Sequence, residues 1–427
     1  MLLWCKVTYK MVESINNTKK YNLSRLWVVS ELYYPEETST GYYLTRIAEG
    51  LAADIETKAI CGQPNYSKRG TKAPSNEIHN GVEIFRAGGT TLDKNIIVYR
   101  VLNMLTLGIS VFFKGLKHFR AGDMALVVTT PPLLPFMTAI VCLMKGSSYI
   151  LLIHDNYPEI LYAVGKVKKG SFFSQIADFA NRWLYKYAAK IIVVGRDMQE
   201  LISKKTAGLD IPIDYIPNWA ELETVSPEKK HGNALLSELG ISDKFVFLYA
   251  GNMGHPNDLE SIVKCAEDLS HDPRYHFLFL GTGVKRKWLE TVVRDKDLAN
   301  ITLLDPKPRS EQQIFLNACD VALVSLISKM KGVSMPSRTY NILAAGKPIL
   351  GLTESGSELD IVIKEEKCGI NVPPNDPEEL MQAILRLGEM DRSELDQMGS
   401  NSRNAALEKY SLTTAIQLYR SSLITKK

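Results

Sequence analysis

From Leu26 onward, short apolar runs alternate with stretches in which apolar residues recur every three or four positions. Runs of four to six apolar residues have the length of a buried strand, and the 3.6-residue period marks an amphipathic helix. Their alternation implies parallel sheets covered by helices on both faces. The pattern is cleanest in the second half. FVFLYA (Phe245 to Ala250) is continuously apolar, as a strand buried on both faces should be. Leu259, Ile262, Val263, Ala266 and Leu269 then follow at helical spacing. HFLFLG, ITLLD, VALVSL, PILGL and GINV are further strands. Between them lie helices through Trp288, around Ile314, over PSRTYNILAAG, near Ile361 and after Asp376. The first half repeats the theme less regularly, with strands RLWVVS, TKAIC, VEIFRA, ALVVT, YILLIH and KIIVVG.

This pattern divides the chain into two doubly wound α/β domains, residues 24–216 and 234–402. The polar stretch 217–233, which holds Pro217 and Pro227, is the expected hinge. The helix over 403–427 is expected to cross back to the first domain. Residues 1–23 do not join the pattern and are expected to be a disordered extension. Open α/β sheets bind ligands beyond the carboxyl ends of their strands, so two such edges facing across a cleft would bring two substrates together.

At 427 residues the chain fits two cores comfortably. Its 45% hydrophobic and 23% charged residues are those of a soluble globular protein. A net charge of +4 is too weak to argue for nucleic acid, but it suits anionic substrates or an anionic membrane surface. The six cysteines are scattered without a C-x-x-C pair, which fits reduced thiols in a cytoplasmic protein. No apolar run is long and clean enough for a membrane span, which takes about 20 residues, and no signal peptide is evident. One segment leaves two readings open. IIVYRVLNMLTLGISVFFKGLKHFR (96–120) is apolar with Arg100, Lys114, Lys117, His118 and Arg120 at its ends. It reads equally as a core helix with a basic end and as a peripheral contact with anionic headgroups.

Three loops carry candidate chemistry. In ELYYPEETSTGYYLTRIAEGL, Gly41 stands at a helix start, where backbone N–H groups can approach a phosphate. In GNMGHPNDLE, Gly251, Asn252, Gly254 and His255 form a second anion-ready turn. It is not a G-x-G-x-x-G, and no acidic residue stands where an NAD ribose would need one. In MKGVSMPSRTYNILAAGKPIL, Pro336 suits the first turn of a helix and Gly346 its end. Ser337 and Arg338 would converge there on a diphosphate. His154 ends the apolar run YILLIH and alone among the seven histidines follows a buried strand at its carboxyl end. Asp295-Lys296-Asp297 mimics a metal-binding D-x-D, but it lies before a strand and reads as a solvated charge cluster.

Taken in order, VVSELYYPEETSTGYYLTRIA, HDNYPEI, IPNW, YAGNMG, FLGTG and PSRTYNILAAGKPI resemble the bacterial members of glycosyltransferase family 4. These are retaining GT-B enzymes of O-antigen, capsule and exopolysaccharide assembly. The likeness runs from about Leu26 to the last helix and is nearest to the fucosamine-transferase-like branch. It implies that the C-terminal domain holds a nucleotide-sugar, with Gly281, Thr282 and Gly283 under ribose and base and residues 305–309 at the base edge. Ser337 and Arg338 would hold the diphosphate, closed over by Gly41. His154 would stand beside the transferring sugar with Asp155, while Tyr157 and Glu159 line the acceptor side. Such enzymes use no metal or other cofactor, and their acceptors are commonly polyprenyl-linked saccharides. The donor expected here is UDP-linked, carrying a hexose of the N-acetylated amino-deoxy type.

The chain departs from the family where many relatives carry a Glu-x7-Glu pair, since Val333 and Asn341 stand there; Asn341 is left to meet a ribose hydroxyl. Asn252 and Asn257 likewise replace an Arg and a Lys, leaving His255, Arg338 and Lys331 as phosphate partners. Two other functions compete. A GT-B epimerase of UDP-amino sugars would need carboxylates near the sugar, which the third loop lacks. A non-catalytic nucleotide-sugar-binding protein would fit the missing pair but not the retained His154 and Arg338.

Overall fold

The computed structural model describes residues 25–64, 72–92 and 96–424. The stretch 1–23, expected to be a disordered extension, therefore lies outside the described residues. The first sheet has eight strands: β1 (Leu26–Ser30), β2 (Thr57–Cys61), β3 (Asn76–His79), β4 (Val82–Arg86), β5 (Met124–Val128), β6 (Ser148–Ile153), β7 (Lys190–Val193) and β8 (Ile213–Tyr215). Their order is β3-β4-β2-β1-β5-β6-β7-β8, parallel except for β3. The second sheet has six: β9 (Phe245–Ala250), β10 (Tyr275–Leu280), β11 (Ile301–Leu304), β12 (Val321–Ser325), β13 (Ile349–Leu352) and β14 (Gly369–Val372). It is parallel throughout, in the order β11-β10-β9-β12-β13-β14. This is the GT-B architecture.

All twelve strands expected from apolar runs are present. The two others lack that signal. β3 is a short outer strand with alternating exposed and half-buried residues, turned back on β4 by Asn80-Gly81, both at positive φ. β8 is three residues long and partly exposed. The stretch 217–233 is not a loose hinge, because Trp219, Ala220 and Val225 are buried. Trp219 meets the Tyr43 ring edge-on at 4.6 Å and accepts the Tyr43 hydroxyl on its carbonyl at 3.1 Å.

Strand order reverses between β1 and β5 in one sheet and between β9 and β12 in the other, which opens a crevice at each carboxyl edge. The two edges face each other. The final helix, Leu412–Ile424, packs on the first domain, where Arg420 donates to Gly50 O at 3.0 Å and pairs with Asp54 at 2.6 Å. An ion pair with a buried carboxylate and a half-buried guanidinium also spans the domains. Arg196 and the Tyr215 hydroxyl both bind Glu358 (3.0 and 2.8 Å), whose carboxyl is pushed up by burial against the opposing pull of Arg196. No helix among the described residues is long and apolar enough to cross a membrane.

Candidate active site

In the second domain the loops after β9 and β10 pack on each other through backbone. Gly251 donates its N–H to Leu280 O (2.8 Å), and Met253 donates to Thr282 O (2.7 Å). A Cβ on Gly281 would lie 2.0 Å from Gly251 O, and one on Gly283 would lie 2.5 Å from Met253 O. Both residues sit at positive φ, 141° and 150°. Glycine is therefore required at both places by contact and by conformation. The Asn252, His255 and Thr282 side chains are exposed on the rim of this cradle, and Gly254 is buried within it.

Arg338 closes the cradle. Its guanidinium lies over the Tyr249 ring, 4.5 Å from the centroid, and a Cβ on Gly251 would come within 2.9 Å of its Cζ. Nη2 donates to Asn257 Oδ1 at a long 3.4 Å, while Nη1 is buried with no partner. A buried cationic N–H without an acceptor is costly, and a phosphate oxygen is the acceptor that would satisfy it best. Ser337 immediately precedes the helix Arg338–Ala344 as its capping residue, so Pro336 falls just before the helix rather than in its first turn.

The first domain reaches this cradle through the loop after β6. Asp155 and Ser334 form an isolated antiparallel bridge across the cleft. Asn156 donates its backbone N–H to Val333 O (2.8 Å) and its side-chain amide to Gly332 O (2.6 Å). Gly332, at φ 73°, donates in turn to buried Asp197 (2.8 Å). The stretch latched this way leads directly into Ser337 and Arg338. Burial raises the Asp155 carboxyl pKa, opposed by a hydrogen bond with the Ser334 side chain. His154 is a half-buried residue whose Nε2 is sealed off without a partner. Burial lowers its pKa to about 4, so the ring is neutral near pH 7. The Tyr157 hydroxyl is pushed up to about 12, chiefly by burial and then by the Asp155 charge, with Arg100 opposing.

Gly41 lies in the first turn of the helix Ser39–Ala52, where a Cβ would meet Glu36 O at 3.1 Å and Thr38 Oγ1 at 3.2 Å. That Thr38 Oγ1 is buried without a partner. The neighbouring Tyr42 ties this turn to the other domain. Its hydroxyl donates to Glu221 (2.5 Å), Glu221 also accepts from Arg309 (3.0 Å), and the Arg309 guanidinium lies 3.8 Å from the Tyr42 ring centre.

Two expected site residues are committed elsewhere. Glu159 is paired with Lys205 at 2.7 and 2.8 Å, a structural bond within the first domain. Asn341 is buried, accepting from Glu221 N (3.0 Å) and donating to Gln312 (3.1 Å). Its amide anchors the linker rather than offering itself to a ribose. Lys331 turns to the loop after β13, where its Nζ donates to Ser355 O (3.3 Å). Three contributors escaped the sequence reading: Tyr249 under Arg338, Asp197 behind Gly332, and the Tyr42–Glu221 pair that engages Arg309, a residue of the stretch expected at the base edge. Each depends on contacts between distant segments, which a single sequence does not display. Among the described residues no three His, Cys, Asp or Glu side chains gather as a ligand set. Asp295 and Lys296 pair with Arg294 and Glu267 at the edge of the sheet away from the cleft.

Residues 235–405 match the family model described as glycosyl transferases group 1. The chain is 29% identical to the probable glycosyltransferase WbjE of Pseudomonas aeruginosa, over 91% of this chain and 95% of that one. It is 24% identical to the putative colanic acid biosynthesis glycosyl transferase WcaI of Escherichia coli (strain K12), over 77% and 83%. In fold it is similar to Anabaena HepE in complex with UDP, with a TM-score of 0.69 and 14% identity over 93% of this chain and 99% of that one. The second domain thus matches the group 1 glycosyl transferase model, and the chain as a whole has the two facing sheets of the GT-B fold.

Proposed function

We propose that this chain is a glycosyl transferase that moves a hexose, of the N-acetylated amino-deoxy type, from a UDP-sugar to a polyprenyl-diphosphate-linked saccharide in bacterial surface polysaccharide synthesis, with retention and without a metal. The observation that carries the reading is the unpartnered Nη1 of Arg338, set beside the Gly251 and Gly281 turns and four residues from the Ser334–Asp155 bridge. A diphosphate in that place meets a guanidinium and, across the cleft, the Gly41 turn with its unpartnered Thr38 hydroxyl. Fixed donors aimed at the departing phosphate do the work that a divalent cation does elsewhere. The leaving phosphate oxygen takes the acceptor proton as the new glycosidic bond forms on the same face. Neutral His154 contributes a hydrogen bond to the sugar rather than a charge, and Asp155 is held beside it by Ser334. HepE binds UDP on this fold, and WcaI is named for colanic acid synthesis, which supports the donor and the pathway class. The apolar helix Ile97–His118, with its basic end, would rest on the membrane that carries the acceptor.

The test is donor binding and slow donor hydrolysis in EDTA, with UDP-, GDP- and dTDP-sugars, for wild type, Arg338→Ala and His154→Ala. UDP-sugars should bind, Arg338→Ala should weaken that binding, and His154→Ala should mainly slow turnover. Binding of no nucleotide-sugar, or activity only with added metal, overturns the reading.

A further inference from the structure

The second domain carries another cavity at the edge of its sheet opposite the cradle. It measures about 760 Å³, within the range of roughly 300–1,000 Å³ typical of small-molecule sites. Asp320 and Lys347 line it, and they stand shortly before β12 and β13, so it lies at the N-terminal ends of the strands. The linker closes one side at 227–231, and the helix Arg392–Glu408 closes the other. These walls meet through close-set backbone. A Cβ on Gly346 would lie 2.9 Å from Pro227 Cγ, and one on Gly399 would run into Gly346 O.

Its lining holds five Lys and Arg against three Asp and Glu. The buried carboxylate among them is already shared, because Asp320 accepts from Lys230 (2.5 Å), Arg392 (2.8 Å) and Val246 N (2.8 Å). Lys347 is left over. It is 8% exposed and has no carboxylate partner among the described residues; its Nζ donates to Glu228 O at a long 3.3 Å. Burial lowers its pKa, Cys319 and Asp320 oppose, and Arg392 and Lys230 add to the lowering. Half-buried Arg403 also lacks a carboxylate among the described residues, but its Nη1 donates to Val225 O (3.0 Å) and Ala344 O (2.7 Å). Those bonds account for Arg403 as a brace at the carboxyl end of the helix Arg338–Ala344. Nothing comparable accounts for Lys347. A buried ammonium with one weak neutral acceptor is costly, and an anion in the cavity would offset that cost. The excess of cations in the lining suits a phosphoryl group, which carries about −1.5 to −2 near pH 7.

We infer that this cavity is a second anion site, which takes the phosphoryl group of free phosphate or of a sugar phosphate at Lys347 Nζ. It is separate from the diphosphate cradle. Arg338 starts its helix at the cleft, and the other end of that helix leads through Ala345 and Gly346 to Lys347. The cavity has room for more than a phosphate, and exposed His231 and Asn404 in its lining can hydrogen-bond the hydroxyl groups of an attached sugar. An occupant joins the linker to the helix Arg392–Glu408 and to the end of the helix that Arg338 begins. The site stands independently of the donor reading.

The experiment is isothermal titration of the full chain with inorganic phosphate, glucose 6-phosphate and glucose, for wild type, Lys347→Met, Asn404→Trp and Arg338→Ala. Wild type should bind the phosphates and not glucose. Tighter binding of glucose 6-phosphate assigns the site to a sugar phosphate, and equal binding assigns it to free phosphate. Lys347→Met should weaken binding about 30-fold. Asn404→Trp, which fills the cavity from an exposed helix position, should weaken it without removing a charge. Arg338→Ala, which disables the cradle, should keep the phosphate site. Cooperative thermal unfolding certifies the fold of each variant, and Asn404→Trp decides the matter if Lys347→Met does not fold. Wild type that binds neither phosphate overturns the inference, as does binding lost in Arg338→Ala and kept in Lys347→Met. So does Asn404→Trp that binds as wild type does. Phosphate binding that depends on Lys347, without any UDP-sugar binding, would instead sink the donor reading and leave this site standing.

Discussion

The two domains solve their halves of the site with different materials. The C-terminal half is built of backbone: Gly251, Gly281 and Gly283 let strand-end loops touch, and one cation, Arg338, is fitted against them. Its inner strands are buried on both faces, and β9 and β10 run in register over six residues. The N-terminal half is built of side chains on a longer loop, with Asp155 and Asn156, next to His154, held in place by contacts to the other domain. Its outer helices leave large apolar groups in water. A diphosphate is small and uniformly charged, so it is best held by close-set N–H groups on a rigid frame. A saccharide acceptor is larger and more varied, and it is met by side chains on a domain that can change its outer surface without disturbing that frame.

The largest effect expected from this contrast is at Gly281. Replacing it with valine puts a branched side chain where even a Cβ would sit 2.0 Å from Gly251 O, at a φ that valine does not tolerate. We expect the C-terminal domain to lose at least about 4 kcal/mol and donor binding to vanish. Calorimetric unfolding of Gly281→Val against Gly41→Ala sharpens the comparison. The Gly41 variant meets only contacts of 3.1 to 3.2 Å and should fold, with weakened donor binding. Equal stability for the two variants would break it.

Arg338→Ala comes next. It removes the unpartnered guanidinium, and donor affinity should fall about 100-fold, read by isothermal titration, with little loss of stability. Arg338→Lys should not restore it, because the Tyr249 stack and the reach toward Asn257 need the planar fork.

The contact between the domains gives a third effect. Arg196→Ala leaves Glu358 buried with the Tyr215 hydroxyl and the residue-196 N–H as its remaining hydrogen-bond donors. Chemical denaturation should show a loss of about 3 kcal/mol. If the loss is confined to the relative motion of the domains, donor affinity will hold while turnover falls.

The contrast also explains what could be read from sequence. Strands buried on both faces announce themselves as apolar runs, so all six C-terminal strands and six of the eight N-terminal ones were legible. β3 and β8 were not, because half-exposed strands of three or four residues carry no such run. The glycine turns were legible as candidate loops. That Gly281 lies against Gly251 was not, since the contact depends on β9 and β10 being neighbours. Asn341 and Glu159 misled for a related reason. Residue type and spacing suggested ligand contacts, but Gln312, the linker and Lys205 claim them first. The outward face of the helix 97–118 was ambiguous because a helix apolar all round is usually buried.

The smallest effect is the most discriminating, because one histidine in each domain is shifted alike. Burial lowers both His154 and His276 to about 4. Each therefore stays neutral in the folded chain while the unfolded chain takes up a proton below about pH 6.5. Stability should be unaffected above pH 6.5 and should fall as pH drops from 6.5 toward 4, because the unfolded state then binds more protons. We expect about 2 kcal/mol of this loss from His276 and about 1 kcal/mol from the partly exposed His154. His276 sits on β10 bonded to Thr302 at 2.8 Å, so His276→Gln should flatten the acid side of the stability curve and leave donor hydrolysis alone. His154→Gln should flatten it less, yet slow hydrolysis about 100-fold at every pH from 5 to 8. A rate limb near pH 6.5 that vanishes in His154→Gln would mean the ring titrates in use. In that case the N-terminal half of the site would be more open to water in solution than the latch between Asp155 and Ser334 implies.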